Sequence, residues 1–273
     1  MPNSNLPFSK KSISRLSTKG LSYEILKREI DEDDVEGALE LLRSQGVELV
    51  KKNALYYFST KFVPIEEAEF CIVDIETNGS KLDKHQIIEI AALKVKNKKI
   101  IDRFESLVQC DEINPHITDI TGISTHITKG APKLKKVLEE FRLFLADAVF
   151  VAHDVGFDYR FISGSLEQIG LLPLTNRALC SIDLAERTIS SYRYGLKYLN
   201  DYLHLHPEAT HHRAMSDVIT TYRLFVKSLE NLPKEVKTVE DLIAFSKNGK
   251  RLKRPKFDPM ASVEESIEVK TTP

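Results

Sequence analysis

The chain has 273 residues, 42% hydrophobic and 29% charged, with a formal net charge of −1. That is one core domain of ordinary size with additions at its ends, and the near-neutral balance excludes a global attraction to polyanions, leaving only local patches for that purpose. No apolar run approaches the ~20 residues that cross a bilayer, Met1 to Lys11 lacks the apolar stretch of an export signal, and Cys71, Cys110 and Cys180 stand singly, so a cytoplasmic protein with no membrane attachment is expected.

Residues 1–20 are rich in Ser, Lys and Arg and read as a flexible tail. A small α+β module follows over residues 21–66. Tyr23, Ile25, Leu26 and Ile30 mark one helix, and Val35, Ala38, Leu39 and Leu42 a second, with Gly46 as its C-cap. Val47 to Val50 and Leu55 to Ser59 read as strands joined by the turn Lys51-Lys52-Asn53. Helices followed by a hairpin resemble a winged-helix module. Its loop and second helix carry Asp31, Glu32, Asp33, Asp34, Glu36 and Glu40, the wrong sign for phosphate, so protein contact or packing is the expected role. Val63 to Glu67 reads as a linker.

The main domain is expected over residues 67–230. The run Phe70 to Val73, ending in Asp74-Ile75-Glu76-Thr77-Asn78-Gly79, is a buried strand entering a turn. Ile87 to Val95 and Ile100 to Val108 continue it as an antiparallel meander, with Asn97-Lys98-Lys99 as the tight turn. Beyond it the spacing predicts a helix over 132–147, a buried strand over 148–152, a helix over 157–169, a short strand over 178–182, and helices over 195–203 and 214–229. A meander followed by alternating helices and strands is an α/β mixed sheet with helices on its faces.

Three segments bring acids to strand ends or helix starts. Asp74 and Glu76 lie two apart on a strand and point to one side, where their repulsion favours a cation between them. Asp158 follows His153-Asp154-Val155-Gly156-Phe157 after the second buried strand, and Asp217 lies on the last long helix, five residues after His212. Each has an ordinary alternative. Asp158 also serves as an N-terminal helix charge and Asp217 as a solvated helix residue.

Together these segments resemble the DEDDh (DnaQ-like) 3′-to-5′ exonuclease family, nearest the proofreading epsilon subunits of bacterial DNA polymerase III. Asp74, Glu76 and Thr77 match its Asp-x-Glu-Thr strand end; His153, Phe157 and Asp158 match its His-Asn-x-x-Phe-Asp segment; His212 and Asp217 match its His-x4-Asp; Thr121-Gly122-Ile123 matches its Gly-Ile turn. The resemblance covers residues 68–230 and implies a ribonuclease H-like fold. It also implies two divalent ions, Mg²⁺ or Mn²⁺, held by Asp74, Glu76, Asp158 and Asp217, with His212 as general base. Thr77, Asn78 and Phe157 would then contact the terminal nucleotide, and nucleoside 5′-monophosphates would leave DNA 3′ ends. The family has Asn where this chain has Asp154, an acid expected to accept the same backbone hydrogen bonds.

A zinc site among His204, His206, His211 and His212 is disfavoured by loose spacing and the lack of a cysteine partner. Residues 231–273 read as a basic extension. A short helix over 239–245 leads into Lys247, Lys250, Arg251, Lys253, Arg254 and Lys256, a grip for nucleic acid or an acidic partner or else a solvated linker, and Pro259 to Pro273 reads as disordered. The DNA polymerase III catalytic subunit is the implied partner, although no glutamine-led clamp-binding peptide is present. Two rivals stay open, a free-standing nuclease acting on RNA or repair intermediates and a catalytically silent polymerase-associated scaffold.

Overall fold

The computed structural model describes residues 6–261. Expectations for the first five residues and for those after 261 therefore lie outside the described residues, including most of the segment read as disordered.

The chain opens with α1 (Lys10–Leu16), β1 (Leu21–Ser22), α2 (Tyr23–Ile30), α3 (Val35–Ser44), β2 (Leu49–Lys52) and β3 (Leu55–Phe58), in a three-stranded sheet of order β1-β3-β2. The two expected helices and the hairpin are present, and α1 and β1 precede them. The flexible tail expected through residue 20 is corrected from residue 6 onward. Ser9 caps α1 by accepting the Ser12 N–H, and Leu6, Phe8 and Leu16 are buried against Leu21, Leu26, Val35, Leu42 and Phe58. Those few apolar residues all face inward, and the Ser, Lys and Arg between them gave the composition its tail-like character. The hairpin turn sits one residue later than expected, at Asn53 and Ala54, both with left-handed φ, as a two-residue turn matched to strand twist requires.

The expected linker at 63–67 is also corrected. Pro64 bridges Thr238, the Ile65 N–H donates to the Lys237 carbonyl at 3.0 Å, and the Val239 N–H donates to the Val63 carbonyl at 3.1 Å. A buried ion pair closes the junction, Arg177 to Glu240 at 2.6 Å, with Phe58 beneath the guanidinium and the Thr60 hydroxyl donating to the same carboxylate. The Thr175 hydroxyl donates to the Gln45 carbonyl, and Gly46, at φ +96°, lies where a Cβ would collide with Asn176.

The second sheet holds β4 (Glu69–Thr77), β5 (Ile87–Lys96), β6 (Lys99–Leu107), β7 (Val149–Ala152) and β8 (Ala178–Cys180) in the order β6-β5-β4-β7-β8. The first three form the expected antiparallel meander, and β7 and β8 run parallel to β4. Short α4 (Pro115–Thr121) and α5 (Thr125–Thr128) precede α6 (Leu134–Leu145), and α7 (Val155–Gln168) follows β7. Then come α8 (Ser181–Thr188), α9 (Leu196–Leu203), α10 (Ala214–Glu230) and α11 (Val239–Asn248). Strand alternation decides the layers. Cys71, Val73 and Ile75 pack under Val137, Phe141, Tyr159 and Ile162, whereas Phe70 and Ile72 meet Val218 and Phe225 of α10 and Leu242 of α11. The α/β mixed sheet is as expected, with helices on both faces.

Candidate active site

Asp74 and Glu76 share the strand parity of Phe70 and Ile72, so they emerge on the α10 side at the carboxyl end of β4. Because β7 runs parallel to β4, the loop leaving β7 reaches the same end of the sheet and starts α7, placing Asp158 in its first turn. Asp158 is 4% exposed, and its carboxylate accepts the Ile75 backbone N–H. From the third direction, Asp217 lies in the first turn of α10 and accepts the His212 backbone N–H at 3.2 Å. Ligand-capable atoms of Glu76, His212 and Asp217 lie within 4.8 Å of one another.

Electrostatics reflect this crowding. The Asp74 carboxyl is driven well above its usual value, first by burial and then by Asp158, Glu76, Asp217 and Glu89. Glu76 is raised to about 8 by burial with Asp217 and Glu89, Arg213 acting the other way. Burial first, with Asp154 and Glu76 adding repulsion, lifts Asp158 to about 8 as well. Asp217 is raised by burial against the opposing pull of the His212 N–H and of His211. Its Oδ1 is buried without a hydrogen-bond partner among the described residues, and His211 Nδ1 stands 3.6 Å away. An orphaned carboxylate oxygen among mutually repelling acids is a donor set that fits a hard divalent cation.

Expected substrate contacts divide. Thr77 is half-buried, next to the strand irregularity after Glu76, and its hydroxyl has no partner among the described residues. Asn78 is spent internally: its amide donates to the Glu112 carbonyl at 2.9 Å and its carbonyl accepts the Gln86 N–H at 2.7 Å. It therefore positions the loops flanking the site. Phe157 is half-buried against the core, 5.6 Å from the Phe161 ring.

Asp154 differs from expectation. It occupies the N-cap position of α7 with φ +72° and makes no side-chain cap bond. A left-handed backbone, which Asn and Asp tolerate better than most residues, accounts for the residue type there. His153 is structural, with Nδ1 2.8 Å from the Ser181 hydroxyl and Nε2 2.9 Å from the Tyr194 carbonyl, and burial lowers it to about 4.

Glu89 and Arg213 escaped the sequence reading. Glu89 is 1% exposed, lies opposite Glu76 on β5, and accepts both the Arg213 guanidinium and the Ala214 N–H. The available signal was an acid inside the apolar run Ile87-Ile88-Glu89-Ile90. The Gly-Ile turn is also built into the fold: Gly122 ends α4 at φ +72°, and the Thr121 hydroxyl accepts the Ile123 N–H.

Residues 71–225 match the family described as Exonuclease (RNase_T). Over 182 residues the chain is 37% identical to a DNA polymerase III PolC-type protein of Caldanaerobacter subterraneus subsp. tengcongensis, covering 64% of this chain and 13% of that protein. A PolC-type protein of Staphylococcus haemolyticus is 35% identical over 171 residues, covering 62% and 12%. The chain thus spans about an eighth of the length of these relatives. Among solved structures, Exonuclease X in complex with 5′ overhanging duplex DNA aligns with a TM-score of 0.52 at 24% identity, covering 65% of this chain and 99% of that one. E. coli Exonuclease I in complex with a dA16 oligonucleotide aligns with a TM-score of 0.54 at 16% identity, covering 60% and 41%. With the family match across more than half its length, the chain belongs to the DEDDh-type exonuclease family.

Proposed function

We propose that this protein is a metal-dependent 3′-to-5′ exonuclease that removes nucleoside 5′-monophosphates from DNA 3′ ends, in proofreading for a replicative polymerase of the DNA polymerase III type. The observation that carries the reading is the convergence of Asp74, Glu76, Asp158 and Asp217 with His212 at one end of the sheet. The PolC-type relatives favour DNA and a polymerase setting.

Asp74, Glu76, Asp158 and Asp217 would hold two divalent ions, Mg²⁺ or Mn²⁺. When bound, such ions neutralise the scissile phosphate and stabilise charge on the attacking and leaving oxygens. The protein's own residues do the rest. His212, exposed and held at φ +61° beside Asp217, accepts the proton of the attacking water on an imidazole nitrogen. Glu89 and Arg213 fix the segment on which His212 sits. Asn78 ties the end of β4 to the loop at Glu112, keeping Thr77 at the rim where a terminal nucleotide would lie.

The test is release of labelled monophosphate from 3′-labelled single-stranded DNA, RNA, and matched or mismatched primer termini, under Mg²⁺ or Mn²⁺, with and without a replicative polymerase. We expect DNA to be preferred, mismatched termini to be cut faster, and His212→Ala to lose on the order of 10²-fold or more in rate while still binding metal. A folded protein that releases nothing under either metal would make the chain a silent scaffold.

A further inference from the structure

After the family match the described chain stays packed on the domain. After α11 it runs as an extended strap back across α8 and the loop leading into α9. Arg187, buried in α8, donates to the carbonyls of Lys247 and Gly249, closing the end of α11. The Leu252 N–H donates to the Glu186 carbonyl, and the nearly buried Glu186 carboxylate receives Arg251 at 2.8 Å and Arg254 at 2.9 Å. Next the Ser190 hydroxyl donates to the Lys253 carbonyl and Arg254 lies over the Tyr194 ring. Tyr198, in the first turn of α9, donates to Asp258 at 2.5 Å, and Arg193 stands 3.7 Å from the same carboxylate. Tyr194 carries Arg254 over its ring and holds His153 through its carbonyl, and His153 heads the loop that delivers Asp158, so one residue links the strap to that loop.

Charge on the strap is sorted. Arg251 and Arg254 are consumed by Glu186, whereas Lys250, Lys253 and Lys256 are exposed with no ion pair among the described residues. Beside them the Phe257 ring is 83% exposed although its neighbour Asp258 is anchored. An anchored backbone that presents ammonium groups and a bare ring has the makeup of a groove for single-stranded nucleic acid, in which cations follow phosphates and rings stack on bases. A peptide of acidic residues would engage the lysines and gain nothing comparable from the ring.

We propose that the strap over residues 249–258 is a binding rail for the single strand upstream of the terminal nucleotide, with Lys250, Lys253 and Lys256 on its phosphates and Phe257 stacked on a base. This rests on the exonuclease reading for its direction, and binding without divalent metal tests it separately from cleavage. The full-length protein in EDTA is titrated against fluorescent oligothymidylate of 4 and 20 nucleotides across a salt series, beside a Lys250→Ala, Lys253→Ala, Lys256→Ala triple variant and Phe257→Ala.

The expected result is that the triple variant loses about two units of salt slope on the longer strand, each phosphate contact contributing about 0.7. Phe257→Ala should weaken binding of that strand about 5- to 10-fold, in the range of one lost base stack. Hydrolysis of a 3′-terminal dinucleotide should match the parent in both. An unchanged salt slope in the triple variant, an unchanged affinity in Phe257→Ala, or displacement of the oligonucleotide by polyglutamate through the same lysines would overturn the rail. Loss of cleavage with these binding differences intact would count against the exonuclease reading alone.

Discussion

Arg213 meets Glu89 across the rim of the acidic pocket at 2.7 Å, and the same carboxylate takes the backbone N–H of Ala214 at 2.9 Å. One anion on β5 thereby fixes the start of α10 and the residue next to His212. Glu89→Gln keeps the shape and removes the charge. We expect a loss of about 1.5–3 kcal/mol in urea unfolding, the range for hydrogen bonds to a charged group. We also expect kcat to fall with KM little changed, because His212, the proposed base, is mispositioned while the proposed substrate contacts remain. Parent-like stability and kcat would show that other contacts hold the segment.

Asp158→Asn should abolish cleavage and yet leave the metal-free protein more stable, by about 1 kcal/mol, since it relieves repulsion that the fold tolerates only for function. Thermal unfolding in EDTA, beside an activity assay, checks both parts. A variant that is inactive and markedly less stable would make Asp158 a structural residue.

Stability of the metal-free protein should fall as pH rises. In the folded chain Glu76 and Asp158 keep their protons up to about 8, against ordinary values of 4.5 and 3.8, so between those limits the folded state binds more protons than the unfolded one. Stability is therefore fullest at the acidic end and lost through the folded values. Mn²⁺, which needs the acids ionised, should stabilise more at about pH 8 than at about pH 5. Calorimetry in EDTA and in Mn²⁺ at the two pH values reads this, and a metal-free stability that climbs across the window would contradict the assignment of the raised groups.

Glu240→Ala leaves Arg177 in a junction where both side chains are about 5% exposed or less. The expected cost is about 3–5 kcal/mol, the range for breaking a buried pair from one side. Arg177→Met with Glu240→Leu should recover most of it. Limited proteolysis near residue 60 should become faster in the single variant only.

Much of this was legible in the sequence because local pattern and tertiary need agreed. The alternation in Phe70 to Ile75 and the spacing of Leu134 to Leu145 each served one buried face, and β4, β5 and α6 follow from them. The acids were readable because each sat where a strand ended or a helix began. What escaped depends on contacts from far along the chain. α1 is held by apolar residues too sparse to show a period, and α8 follows β8 without an intervening loop, its buried Glu186 and Arg187 finding their partners on the strap. The role of Asn78 is set by Glu112, thirty-four residues away, which no spacing rule near Asp74 would indicate.

The pairing of Pro64 with Thr238 has a topological consequence. Everything between those residues, the whole five-stranded sheet and the acids at its end included, departs from and returns to one place. The span is nevertheless completed from outside it, because α11 starts one residue later and lays Val239, Leu242 and Ile243 against Phe70 and Ile72 of β4.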